Sequence, residues 1–163
     1  MREIESVLGD KKREDKSFIL RPPGSGDFGW VVQKNGEIYA EEYNWNEEYE
    51  GLVAEIVADF IKNYDARRER CWIAEKDGAN IGAVFLVKKD DETAKLRLLI
   101  VDPKARGLGV GTRLVSECTR FARKAGYKKI TLWTNKILKA ARRIYEKEGY
   151  RRVKEEPHHS FGH

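Results

Sequence analysis

Between Leu98 and Val115 the chain runs Leu-Leu-Ile-Val-Asp-Pro-Lys-Ala-Arg-Gly-Leu-Gly-Val-Gly-Thr-Arg-Leu-Val, an apolar stretch that passes through alternate glycines into an amphipathic segment. Glycines at 107, 109 and 111 lack the Cβ atoms that would hold a ligand off the backbone, so successive N–H groups can converge on phosphate oxygens. A helix starting there adds amide donors without internal partners and the positive end of its dipole. The chemistry this permits is the gripping of a pyrophosphate. Spacing narrows the ligand further. A dinucleotide fingerprint G-x-G-x-x-G begun at Gly107 would end on Thr112, and no Gly-Lys-Ser/Thr sequence is present, so neither a Rossmann turn nor a Walker loop fits.

The elements that must carry this turn can be read on either side of it. Residues 18–21 form a strand stopped by Pro22-Pro23-Gly24, and Asp27 is the N-cap of a short helix that Asn35-Gly36 closes. Leu52, Val53, Ile56, Val57, Phe60 and Ile61 recur at helical spacing and predict a second helix from about Glu47 to Asn63. Strands follow at residues 70–75 and 79–88, joined by the hairpin signal Asp77-Gly78, and a turn at Asp90-Asp91-Glu92 leads to the strand ending at Val101. Beyond the glycine turn come a helix, a stop at Gly126 followed by a strand that ends at Asn135, and a short helix from Ala140 closed by Gly149.

The pattern Arg106-x-x-Gly109-x-Gly111 after Val101-Asp102-Pro103 resembles the coenzyme A-binding motif of the GNAT N-acetyltransferase superfamily, and the order of elements agrees. The resemblance covers roughly Phe18 to Val153. Around Leu20-Arg21-Pro22-Pro23, Gly26-Asp27-Phe28-Gly29-Trp30, Phe60, Trp72-Ile73-Ala74-Glu75, Leu96-Arg97-Leu98-Leu99 and Leu132-Trp133-Thr134-Asn135 it is similar to the acetyltransferase half of MarR–GNAT fusion proteins. This likeness implies an α/β fold: a central mixed, mostly antiparallel sheet of six to seven strands flanked by about four helices. It implies acetyl-CoA as acyl donor and direct attack by a primary amine. Cofactor contacts are expected at Leu99, Ile100, Val101, Arg106, Gly107, Leu108, Gly109, Val110, Gly111 and Thr112, and the proton for the departing thiolate from Tyr145. The alternative within the same resemblance is a module that holds acyl-CoA and reports it to a winged-helix transcription regulator.

Acetyl transfer needs a neutral amine, a donor to the developing oxyanion and a proton for the thiolate. A phenol with pKa about 10 keeps its proton at neutral pH and suits the last role. Two departures from the family pattern matter. Leu138 stands where many members carry Asn, so Asn135 is left either to make that cofactor contact or to cap the following helix. Leu96, Leu98, Leu99 and Ile100 offer no carboxylate base on the strand, so the amine must lose its proton elsewhere or through water. Acceptor contacts are expected at Glu41, Glu42, Tyr43 and Trp45, where carboxylates and aromatic faces suit an ammonium group; a solvated acidic loop with its aromatics folded inward is the other reading.

With 163 residues and 40% hydrophobic content the chain suits one core. Residues 1–17 read as a charged linker or stub and residues 18–163 as the domain, lacking the last strand that relatives continue into; a second molecule, as in a homodimer, could complete that edge, or the acceptor side stays open. No apolar run reaches the roughly 20 residues of a membrane span, and the charged start lacks a signal peptide's centre, so no membrane partner and a cytoplasmic setting are expected. Cys71 and Cys118 fall at core positions. His158, His159 and His163 lack supporting ligands and read as a tail, with no metal. The charge of +5 is dispersed among acids, which argues against specific nucleic-acid binding, but Lys104, Arg106 and Arg113 gather at the turn where a polyanionic cofactor would lie.

Overall fold

The structure is a computed structural model that describes residues 17–132 and 139–150. Among them, five strands form one sheet in sequential order: β1 (Ile19–Arg21), β2 (Arg70–Lys76), β3 (Ala79–Lys88), β4 (Thr93–Val101) and β5 (Lys129–Thr131). The first four pair antiparallel and β5 joins β4 in parallel, so the sheet is mixed as expected. Five strands stand where six to seven were expected, and the chain after Tyr150 lies outside the described residues, as do residues 1–16, Asn135, Leu138 and the three histidines.

Among the described residues four α-helices cover the two faces: α1 (Asp27–Tyr43) and α2 (Glu47–Asn63) on one, α3 (Val110–Lys124) and α4 (Lys139–Lys147) on the other. Strand alternation sorts the side chains between them. Ala94 and Leu96 of β4 join Leu114, Val115 and Cys118 of α3, while Phe85 and Ile100 join Val31 of α1 and Val53 and Phe60 of α2. Each thiol is buried, Cys71 in one layer and Cys118 in the other, and neither forms a disulfide. Both residues of the Asp77-Gly78 hairpin have positive φ, 53° and 80°, the conformation that matches the sheet's twist.

The first helix departs from expectation. It does not stop at Asn35-Gly36 but continues to Tyr43, where Asn44 turns left-handed at φ 59°. Tertiary packing uses both supposed stop residues. Asn35 is fully buried; its amide donates to the Val31 carbonyl at 2.8 Å and its oxygen accepts from Tyr49 Oη at 3.2 Å. Gly36 leaves room for the Glu50 side chain of the neighbouring helix, whose Oε1 would lie 2.7 Å from a Cβ there. The second helix occupies Glu47–Asn63 as read, with Asn46 capping it by accepting from the Glu48 amide at 3.0 Å.

Asp27 is not the N-cap either; Gly26 is, and Asp27 opens the helix as a buried tie between elements. Its carboxylate accepts from the Gly24 amide at 2.6 Å, from Arg21 at 2.7 Å and from Asn80 at 2.9 Å, joining α1 to β1 and β3. The Arg21 guanidinium is the main reason its carboxyl sits well below the ordinary carboxylate range, with burial working in opposition. A carboxyl depressed on folding stabilises above its unfolded pKa, near 3.9, and loses that contribution as pH falls through the folded value. Asp27→Asn is therefore expected to cost about 2 kcal/mol at pH 7 and to shrink the difference between variant and parent below pH 4, measured by urea denaturation across pH.

Candidate active site

The site forms where β4 leaves its neighbour. β5 pairs only with Thr93, Ala94 and Lys95, so among the described residues the later half of β4 meets no strand on that edge. The same half carries an irregularity against β3. Ala83 pairs with Ile100 and Phe85 with Arg97, so Val84 alone stands opposite both Leu98 and Leu99. This is a β-bulge, and Leu98 adopts φ 56° to make it, a left-handed conformation costing an L-residue roughly 1–2 kcal/mol. Strain of this kind persists where surrounding packing holds it and clusters at functional sites.

Past Val101 the chain is guided to the helix by local bonds. Asp102 accepts from the Lys104 amide at 3.0 Å, capping a single 3₁₀ turn over Pro103–Ala105, and Gly109 then enters α3 in the left-handed region at φ 80°. A Cβ on Gly109 would meet nothing within 4 Å, so that turn faces open space, whereas one on Gly111 would lie 2.6 Å from Ile144 Cδ1. The two glycines thus serve different ends: the first shapes the turn and the second lets α4 close against α3.

Together these segments wall a cleft of about 370 Å³. Of the expected cofactor residues, Leu99, Ile100, Val101, Arg106, Gly107, Gly109, Val110, Gly111 and Thr112 line it, and Leu108 does not. Ile38, Tyr39 and Tyr43 of α1 and Arg143 and Ile144 of α4 form the opposite walls. Arg143 and Ile144 were missed from sequence; the pointer was the glycine pair Gly109 and Gly111, which demands something packed against the helix start.

The acceptor-side residues are distributed unequally. Tyr43 lines the cleft and Glu42 reaches it by accepting from Arg106 at 2.8 Å, while Glu41 is exposed. Trp45 corrects the expectation of a ligand-facing ring: at 6% exposure it stacks on Tyr39 with centroids 5.1 Å apart and meets Tyr49 edge-on at 4.9 Å. An indole with those neighbours gains more from burial than from solvent, so the aromatics fold inward. Tyr145, expected as the proton donor, is likewise buried, 7% exposed; it stands behind the cleft-lining Ile144 rather than among the lining residues, with its ring 5.8 Å from that of Tyr150. Burial, then the nearby Tyr39, Cys118 and Tyr150, push its phenol well above the ordinary tyrosine range. Burial also raises Tyr39, to about 12. Among the described residues no group of three metal-ligating side chains converges, and no helix is long and apolar enough to cross a membrane.

The family model for the acetyltransferase (GNAT) family matches residues 32–150, from within α1 to the end of the described chain. The chain belongs to the GNAT family. It is 31% identical over 121 residues to "Probable N-acetyltransferase camello" of Xenopus tropicalis, covering 70% of this chain and 55% of that protein. With N-acetylaspartate synthetase of Danio rerio the identity is 35% over 85 residues, 52% of this chain and 30% of that one. The chain therefore spans about half or less of the length of these relatives. An acetyltransferase of Clostridium acetobutylicum, solved with acetyl-CoA, superposes with a TM-score of 0.68 at 17% identity, over 88% of this chain and 96% of that chain.

GNAT acetyltransferases use acetyl-CoA, and the cleft's donors suit its parts. The open left-handed turn at Gly109 leaves the first amides of α3 without helical partners, and Arg106 and Arg143 add positive charge for a pyrophosphate. The apolar wall of Leu99, Ile100, Val101 and Ile144 suits the uncharged arm. One GNAT residue is already engaged: Arg106 is held by Glu42, across the mouth between α1 and the turn. The pair is largely exposed, so its net worth is about 1 kcal/mol or less. Glu42→Gln is expected to tighten CoA binding by up to about fivefold at low salt, with the gain fading as salt rises, measured by calorimetry.

Proposed function

We propose that this chain transfers an acetyl group from acetyl-CoA to a primary amine by direct attack. The observation that carries this reading is the junction of three features at one cleft: the strained bulge at Leu98, the unpaired edge of β4 beyond Lys95, and the amide-rich start of α3 at Gly109. In this reading the turn from Arg106 to Gly111 holds the pyrophosphate. A backbone N–H at Leu99 or Ile100 donates to the thioester carbonyl, where negative charge grows as the amine attacks. The C–N bond forms and the C–S bond breaks; Tyr145 gives its phenolic proton to the departing sulfur, and the amine's surplus proton passes to water and restores the phenol. Burial raises that phenol above the ordinary tyrosine range, so the acid is still protonated where an ordinary amine begins to lose its proton.

The test is acetyl-CoA consumption, followed as free thiol release, over amino acids, polyamines, aminoglycosides and lysine peptides, with CoA affinity measured alongside. Amine-dependent thiol release is expected for at least one class. CoA binding without turnover on every acceptor overturns the transfer reading and favours an acyl-CoA sensor.

A further inference from the structure

The bulge has an effect on side chains as well as on the backbone. In a regular strand successive residues alternate faces, but the extra residue sets Arg97 and Leu98 on the same side. Arg97 stands opposite Phe85, Lys95 opposite Val87 and alongside Thr131 of β5, and Phe85, Val87 and Leu98 all belong to the layer beneath α1 and α2. Two cations, both half-buried, thus lie on that face of β4 immediately before the bulge. Only Leu98 stands between Arg97 and Leu99 in the cleft wall, so their Cα atoms are at most about 7 Å apart.

Their surroundings are unusual for cations on a sheet. Among the described residues no carboxylate pairs with either. The ammonium of Lys95 is held below the ordinary lysine value by burial first and then by Arg97 and Lys89, which adds a third positive charge rather than a counterion. Placing like charges together on a partly covered surface is unfavourable unless an anion joins them. A polyamine would add to the repulsion, whereas a molecule carrying a carboxylate beside its amine would relieve it. The cations would also lower the acceptor's amine pKa, favouring the neutral nucleophile on a strand that has no carboxylate base.

We infer that Arg97 and Lys95 form an anion subsite for the carboxylate of an amino-acid-like acceptor, placing its amine at the Leu98 bulge. Arg97 supplies the planar fork that accepts a carboxylate by two parallel hydrogen bonds, and Lys95 a second point charge. The assignment rests on the acetyl-transfer reading and makes a narrower claim, that the acceptor is zwitterionic.

Matched acceptors that differ only by the carboxylate test it: L-lysine against cadaverine, L-ornithine against putrescine, and L-phenylalanine against phenethylamine. The carboxylate-bearing member is expected to have the higher kcat/KM in at least one pair, by about tenfold or more. Arg97→Met, which keeps the aliphatic stem, should lower kcat/KM for that member by about 10- to 100-fold, chiefly through KM, without a comparable loss for its twin, from which it removes a repelling charge, and without loss of CoA affinity. Arg97→Lys should recover part of the loss. Equal kcat/KM within every pair, or an Arg97→Met loss shared by both members, overturns the subsite and leaves acetyl transfer standing. Should no amine be acetylated while CoA binds, the transfer reading falls separately. Calorimetric titration of the three amino acids into CoA-loaded protein then decides the subsite: binding weakened by Arg97→Met upholds it, and no binding or unchanged binding overturns it.

Discussion

Replacing Tyr145 with phenylalanine is expected to lower kcat by about 10²- to 10⁴-fold while CoA affinity stays within a factor of about two. The substitution keeps the ring that packs beside Tyr150 and deletes only the hydroxyl, so the core against α3 is preserved. Its size comes from the leaving group: a thiolate expelled without a positioned proton must wait for solvent to supply one. The pH profile gives an independent reading. Because burial lifts the Tyr145 phenol above the ordinary tyrosine range, the parent's rate should rise as the acceptor amine deprotonates and show no fall near pH 10. A kcat near the parent's in Tyr145→Phe, measured under saturating acetyl-CoA, rules out the assignment and makes water the proton source.

Gly109→Val is expected to weaken CoA binding by about 100-fold or more. The residue enters α3 at φ 80°, where a β-branched side chain is strained by at least about 1–2 kcal/mol, and the backbone relieves that strain by turning. Turning it re-aims the amides that follow, and each lost hydrogen bond to a charged oxygen is worth about 1.5–3 kcal/mol. Open space beside the glycine means that no clash with neighbouring atoms contributes. Calorimetry for CoA and urea denaturation for the apoprotein separate the two effects: affinity should collapse while stability falls by little more than the strain. Unchanged affinity in the folded variant would place the pyrophosphate elsewhere.

Much of the frame was legible because local and tertiary preferences agree there. The apolar spacing of Leu52 to Ile61 marked α2, and Asp77-Gly78 marked the β2–β3 hairpin. The glycine turn and strand end were readable for the same reason, and nine of the residues named from them meet in one cleft. Elsewhere a residue's local meaning was overridden. Asn35 and Gly36 signal a helix stop in isolation, yet here the amide is consumed by Val31 and Tyr49 and the glycine by Glu50. Trp45 could face a ligand or the core, and only the positions of Tyr39 and Tyr49 settle which. The bulge was hidden because Leu98-Leu99-Ile100-Val101 is uniformly apolar, so nothing in its pattern shows where alternation slips.

That slip has a simple arithmetic. Leu96 and Leu99 pack toward α3 and α4, while Arg97, Leu98 and Ile100 belong to the other face. Strike Leu98 from the sequence and the remaining residues alternate without fault, each on the side it already occupies. One leucine is thus surplus to the parity of both layers, and its removal would also erase the left-handed kink. Selection for packing alone has no use for it. Stability and the proposed chemistry therefore pull in opposite directions at this position: a chain without Leu98 would keep the alternation of both layers and lose the kink at which acetyl transfer is proposed.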